Sequence, residues 1–386
     1  MRSSTKLGRA GALLLLAIPA LEVLIMISPF AGFFYASLQF EPFLGLLSRS
    51  PWTAWLDGFF LNHALVTASL LLEWHRKAGL VLMGLGLAGF LVSVAQLYGN
   101  KILGRGVATG LLYRFVRHPQ YLCLGVAGWG LLTQWPRFLL LGIWVTMLFL
   151  YAGLARFEEQ RMAARFGEAY RCFANTRGAF LPGSPVRRFF QATFGKLRPR
   201  ALGWAVAYVV CLGLTFSLGF ALRAYTRASV ATLSRPEHRT VVMSAWPKPE
   251  SWMARVIDVA LGDPRIRERL EEAAGGKPVV ATILPPRYGM KGMYYKLPPG
   301  QASGMRNGGP LMGVDPDRVD EPVEVVLSQA EKPYREHLEL EDALDADVRL
   351  TPLALVSVAP AKGEVTSVRI PLPQNHWGPQ VIMPVF

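Results

Sequence analysis

Three cysteines in 386 residues are too few for a disulfide scaffold, and all of them, Cys123, Cys172 and Cys211, fall in the first 222 residues. Charge is sparse as well: 18% of the residues are Asp, Glu, Lys or Arg, against 52% hydrophobic. Acids are scarcest in residues 1–222, which hold seven Asp/Glu against 21 Lys/Arg, whereas residues 223–386 hold 20 of each. Proline is skewed the other way, nine before residue 223 and 19 after. One globular core does not account for this split, and two differently built regions do. No nucleophile elbow, phosphate loop or paired-His motif is visible. The net charge of +14 lies among apolar runs, where basic residues report membrane topology rather than a nucleic-acid partner.

What the first region has instead is long apolar runs. A spanning helix needs about 20 mostly apolar residues, and six stretches are candidates: Gly11 to Leu38, Trp52 to Trp74, Ala78 to Tyr98, Leu122 to Trp135, Phe138 to Ala155 and Ala201 to Leu222. The first is too long for a signal-peptide core and reads as retained. Its Glu22 is costly in lipid and is expected to face other helices. The second carries Asp57, Asn62 and His63 and is the weakest candidate. The fourth and fifth are separated only by Pro136 and Arg137, the mark of a helical hairpin. Fourteen basic residues, from Lys101 to Arg117 and from Arg156 to Arg200, then share one face. The positive-inside rule makes that face cytoplasmic and carries residues 223–386 to the opposite side. Three spans before Lys101 would leave Arg2, Lys6 and Arg9 on the wrong side; either the fourteen charges overrule that weak signal, which is the reading taken, or one early segment does not span.

The polar region reads as an α/β or α+β domain. Strand character marks Thr240 to Ala245, Val279 to Leu284, Val323 to Leu327 and Leu353 to Val358, with Val365 to Ile370 closing a hairpin on the last of these. Ser251 to Ala274 reads as a helix capped by Ser251, broken at Asp263-Pro264 and ended by Gly275-Gly276. Met290 to Pro310 reads as a Gly/Pro-rich loop. His337, His376 and the acids Glu339, Glu341, Asp342, Asp345 and Asp347 show no metal-site spacing, and the acidic run reads as solvated surface. The architecture expected is therefore a multi-span α-helical membrane domain of about six helices, including a hairpin, with an appended soluble domain. Its divisions are 1–77, 78–200, 201–222 and 223–386.

The chemistry concentrates on either side of the hairpin. Before it stands Thr109-Gly-Leu-Leu-Tyr-Arg-Phe-Val-Arg-His-Pro-Gln-Tyr121, and after it Arg156-Phe-Glu-Glu-Gln-Arg-Met-Ala-Ala-Arg-Phe-Gly-Glu-Ala-Tyr170. Arg117 and His118 sit just before a span, and Pro119 sets the turn into the helix. Tyr113 and Tyr121 suit the polar–apolar boundary. Glu158 and Glu159 are the only acids between Glu73 and Glu168, and a closed hairpin would bring them back to Arg117 and His118. Local pairing of Glu158 with Arg161 and of Glu159 with Arg156 is the alternative. Gly84 and Gly86, in the Gly-rich third run, could equally mark close helix packing, and Cys123 an apolar filler.

In order and spacing, residues 78–182 resemble the isoprenylcysteine carboxyl methyltransferase and phosphatidylethanolamine N-methyltransferase superfamily of integral membrane methyltransferases. The likeness rests on the Gly-rich run with Gly84-x-Gly86, Tyr113, Arg117-His118-Pro119, Tyr121, the hairpin, Glu158-Glu159, Phe166-Gly167 and Tyr170. It implies S-adenosylmethionine bound at the cytoplasmic membrane edge. One of Glu158 and Glu159 would hold its ammonium, while Arg117 and His118 would meet its carboxylate or ribose. Tyr121 and the Gly-rich helix would shape the adenine pocket. The methyl acceptor implied is a lipid or other hydrophobic molecule, and no metal is required. Leu122 and Cys123 stand where the family often has a small residue. A membrane anchor presenting residues 223–386 to a protein partner is the non-enzymatic alternative. The setting expected is a bacterial cytoplasmic membrane.

Overall fold

A computed structural model describes residues 4–37, 46–47, 49–63, 65–183, 185–285 and 322–370. The chain divides into two compact units. The first comprises Met1–Gln39, Arg76–Trp135 and Leu140–Leu218; the second comprises Phe40–His75, Pro136–Leu139 and Gly219–Phe386.

Helices build the first unit. They are α1 (Ser4–Ser37), α2 (Leu70–Ile102), α3 (Pro119–Leu132), α4 (Phe138–Thr176), α5 (Pro185–Thr193) and α6 (Arg200–Ala228). Among the described residues four helices are long and apolar enough to cross a membrane: α2, α4, α6 and the Ala20–Ser37 part of α1. Large apolar side chains such as Leu24, Leu85, Leu91, Val209 and Leu214 project from them uncovered by protein, as lipid-facing positions do. The fourth expected run forms α3, only 14 residues long. At 1.5 Å per residue it extends about 21 Å, less than the ~30 Å hydrocarbon layer.

Helices α3 and α4 pack antiparallel. Trp144 Nε1 donates to the Gly125 carbonyl at 3.0 Å, and the rings of Trp129 and Trp144 lie 5.0 Å apart. Small residues bring α2 onto α3: a Cβ at Gly86 would stand 2.6 Å from the backbone of Cys123 and Ala127. Glu22 faces α2, where Lys101 Nζ lies 2.5 Å from its carboxylate and the Tyr98 hydroxyl donates at 3.2 Å. Near its end α4 breaks at Gly167, whose φ of 53° and ψ of −127° lie outside the helical region. That left-handed φ suits a residue without Cβ.

The second expected span, Trp52 to Trp74, is corrected by the structure. A 3-10 turn at Ala54–Asp57 is followed by irregular chain, and helix resumes only at Leu70. The middle of the segment is apolar because protein covers it, whereas Trp52, Leu70, Leu71 and Trp74 at its ends are exposed. Phe59, Phe60, Leu61 and Leu65 are buried. The Phe60 amide donates to Pro136 O at 2.8 Å, and the Val66 amide donates to Ala245 O at 2.8 Å. Asp57 pairs with Arg137, and both are buried. Hydropathy alone does not separate a protein core from a lipid-facing surface.

The rest of the second unit is a six-stranded sheet in the order β1-β2-β3-β4-β5-β6. The strands are β1 (Thr232–Arg235), β2 (Thr240–Ser244), β3 (Val279–Leu284), β4 (Val323–Glu331), β5 (Arg349–Ala359) and β6 (Glu364–Arg369). Only β2 and β3 run parallel; the other pairs are antiparallel. The β2–β3 crossover holds α7 (Glu250–Gly262) and α8 (Pro264–Ala274). Both strands are buried along their whole length, which explains their predominantly apolar sequences. The core joins Val242, Met243, Ile257, Ile266, Ile283 and Val356. Asp263 caps α8 by accepting the Arg265 amide at 2.9 Å, and Gly275 ends it with a left-handed φ of 54°. Ser251 is not the cap of α7, because Pro249 holds that position and Ser251 lies inside the first turn. The acidic run is not a plainly solvated face either. Asp345 and Asp347 clasp the buried Lys332 at 3.0 and 3.1 Å. Met290 to Pro310 and His376 lie outside the described residues. Among the described residues no group of three His, Cys, Asp or Glu could hold a metal ion.

Candidate functional site

The antiparallel hairpin returns α4 to the start of α3, and the two polar stretches meet there within the first unit. The Arg117 guanidinium donates through Nε to Glu159 Oε1 at 2.8 Å, and its second terminal nitrogen lies 2.6 Å from the same oxygen. Its remaining terminal nitrogen donates to the carbonyls of Ala174, at 2.6 Å, and Arg177. The glycine break at residue 167 precedes the segment that supplies those carbonyls. The amides of Arg117 and His118 donate to Gly178 O at 2.9 Å and Ala179 O at 3.0 Å. Arg117 is thus buried and nearly saturated. It binds the end of α4 to the start of α3.

His118, one residue before α3, contacts both carboxylates. Its Nε2 stands 3.2 Å from Glu159 Oε1, and its Nδ1 lies 3.5 Å from Glu158 Oε2. The second contact is within ion-pair range but does not meet hydrogen-bond geometry, so among the described residues Nδ1 is a buried polar atom with no hydrogen-bond partner. Burial opposes charging of this ring. The interactions with Glu158 and Glu159 outweigh burial and hold its pKa above the usual value of 6.5. The Tyr121 hydroxyl donates to Glu158. Rings stack inward from there: His118 on Tyr121 at 5.8 Å, then Tyr121 on Tyr151 at 4.8 Å.

Burial divides the cluster by sign. The Arg117 and His118 side chains are 5% exposed, whereas Glu158 is 35% and Glu159 28% exposed. The carboxylates therefore present a face that the cations do not cover. The local alternative is not what forms: Arg156 lies over the Trp204 ring at 6.0 Å and Arg161 over Phe157 at 5.8 Å.

The other expected residues distribute as follows. Pro119 is the first residue of α3 and is buried. Tyr113 is the buried residue of an otherwise largely exposed 3-10 turn and donates to Gln120 Oε1 at 3.1 Å; burial first, and then the charge on Glu158, push its phenol pKa up. Gly84 has open space where a Cβ would stand and does not join the cluster, and Gly86 is accounted for by its contact with α3. Gln120, Tyr151 and the carbonyls of Ala174 and Arg177 belong to the cluster without having been singled out in the sequence. Tyr151 carried a usable signal, since it precedes Glu158 by seven residues and so shares its helix face.

Comparison with known proteins gives one informative likeness. Methanethiol S-methyltransferase 1 of Bradyrhizobium diazoefficiens is 31% identical over 103 residues, covering 24% of this chain and 35% of that enzyme. The chain therefore spans about a third of the length of this curated relative. No family model matches, and no solved structure matches.

Proposed function

We propose that the chain is an S-adenosylmethionine-dependent membrane methyltransferase. The observation that carries this reading is the meeting of Arg117, His118 and Tyr121 with Glu158 and Glu159, cations buried and carboxylates turned outward. The likeness to a named methyltransferase supports it.

The donor set suits the cofactor. Among the described residues Glu158 is bonded only to Tyr121 and paired loosely with His118, which leaves it able to accept an ammonium group. Glu159 is committed to Arg117 and His118 and acts as the positioning carboxylate. His118 Nδ1 is a buried polar atom in want of a partner, suited to a carboxylate or hydroxyl. Arg117, saturated by protein, orients the segment beneath rather than touching the ligand. When bound, the cofactor supplies a methyl group already activated by its sulfonium. The chain's residues bind, orient and exclude water, and positioning of this kind is worth roughly 7–11 kcal/mol in favourable cases.

The acceptor we assign is a hydrophobic molecule reaching the site from the lipid phase. The relative's name adds a small thiol to that class. With the Trp52–Trp74 segment not a span, the basic ends of α1 and α2 fall on one face, and the conflict over the N-terminal charges disappears. We place that face in the cytoplasm and residues 223–386 across a bacterial cytoplasmic membrane. Residues 223–386 remain open to a protein partner.

Calorimetric titration of the purified protein with S-adenosylhomocysteine tests the proposal. Saturable binding is expected, weakened at least about tenfold by Glu158→Ala, the scale of one lost charge-assisted hydrogen bond. Labelled methyl groups should reach a membrane-extractable or thiol acceptor. Absence of binding by folded protein, or an affinity untouched by Glu158→Ala and His118→Ala together, would overturn it.

A further inference from the structure

Helix α5 has no buried residue although it is amphipathic. Val186, Phe189, Phe190 and Thr193 recur at helical spacing on one side, and Arg187, Arg188 and Gln191 occupy the other. Val186 is 56% and Phe189 65% exposed, so the first unit does not cover this ridge. Nine residues are too few to hold a helix in water unaided. The ring of Phe189 meets only the edge of Phe194, at 6.4 Å, and the firmer attachment runs through Phe190. Phe190 packs on Phe194 at 5.9 Å and on Trp204 of α6 at 4.9 Å. The ridge thus lies beside the first turn of a membrane-length helix.

The charge around it has one sign. No Asp or Glu occurs between Glu168 and Glu237, a stretch that includes Arg171, Arg177, Arg187, Arg188, Lys196, Arg198 and Arg200. Among the described residues, none of Arg187, Arg188, Lys196, Arg198 and Arg200 forms an ion pair; Arg188 donates to the Gly183 carbonyl. An exposed apolar ridge, a basic opposite face and attachment to the start of a span are the features of a helix lying in the headgroup layer. We infer that α5 and the basic residues to Arg200 form a docking surface for anionic lipid headgroups, with Val186 and Phe189 inserted among the acyl chains. This goes beyond the methyltransferase reading and does not depend on it.

Two measurements on the full-length protein test the surface. In the first, detergent-solubilised protein is titrated with short-chain phosphatidylglycerol, phosphatidylcholine or glycerol phosphate, and binding is followed by tryptophan fluorescence. Phosphatidylglycerol should bind roughly tenfold tighter than phosphatidylcholine, and Arg187→Gln with Arg188→Gln together should remove most or all of that preference. Glycerol phosphate should not compete. Equal affinity for the two lipids, a preference untouched by the double variant, or full competition by glycerol phosphate would each overturn the inference, the last in favour of a simple anion site. In the second measurement, a spin label on Phe189→Cys, in a background without the native cysteines, is read in nanodiscs containing phosphatidylglycerol. The label should be reached by oxygen dissolved in lipid rather than by a water-soluble nickel complex. A label that stays in water refutes the insertion.

Discussion

The α3–α4 hairpin carries a charged cluster at each end of its sequence, and the two are built to opposite plans. At the tip, Arg137 pairs with Asp57 and its guanidinium lies 4.8 Å over the Phe59 ring. Both side chains are about as buried as each other, and the pair is closed. At the open end, Arg117 and His118 are buried while Glu158 and Glu159 keep about a third of their surface. A closed buried pair returns little beyond its own desolvation cost, and its use is to fix one arrangement of chain. A cluster with its carboxylates outward holds its shape through one acid and leaves the other to receive a cation. Similar residue types thus serve as a lock in one place and a binding face in the other.

The sharpest way to break this contrast is at the lock. Arg137→Ala leaves Asp57 buried and unpaired, and a loss of about 3–5 kcal/mol is expected. Denaturation of the purified protein followed by tryptophan fluorescence measures it, and a loss under about 1 kcal/mol would mean the pair is not closed. Glu159→Ala should follow at about 2–3 kcal/mol, because it strands the buried Arg117. Next comes a pair of glycines. Gly86→Ala drives a Cβ into the α3 backbone and should cost about 1–3 kcal/mol. Gly84→Ala meets open space and should be neutral or stabilising by up to about 1 kcal/mol. Equal effects at the two positions would contradict the packing described for α2 and α3.

Smaller effects sharpen the open end. Because the folded pKa of His118 is raised, its contribution to stability is fully present below 6.5 and is lost as pH rises through the raised value. Thermal unfolding against pH should show this decline in the parent protein and not in His118→Gln. Glu158→Gln should change stability by less than about 1 kcal/mol, as expected of a partly exposed ion pair. A change as large as that of Glu159→Ala would make both acids structural.

Much of this was legible in the chain. Residues 279–284 read as a strand and form one, because a run buried on both faces is almost wholly apolar, with Thr282 its one polar residue. The break at Asp263-Pro264 is visible because a capping acid followed by proline can start a helix but not continue one. The meeting of Arg117 and His118 with Glu158 and Glu159 follows from a tight hairpin, which carries the second arm back past the start of the first. The 52–69 segment and β1 were not legible in the same way. The former is apolar enough for lipid but lies in a protein core, and the four-residue β1 directly follows a long helix.

Local chemistry therefore already dictated the division into an apolar basic region and a charge-balanced one, the hairpin, and the residues at its open end. Those properties depend on hydropathy, turn residues and spacing, which are written residue by residue. Long-range contact settled the rest: that Asp57 closes on Arg137, that Glu159 rather than Glu158 is committed to Arg117, and that Gly86 serves packing. Which of two neighbouring carboxylates is taken depends on helix rotation and on carbonyls nearly sixty residues distant, and no short stretch of chain encodes that choice.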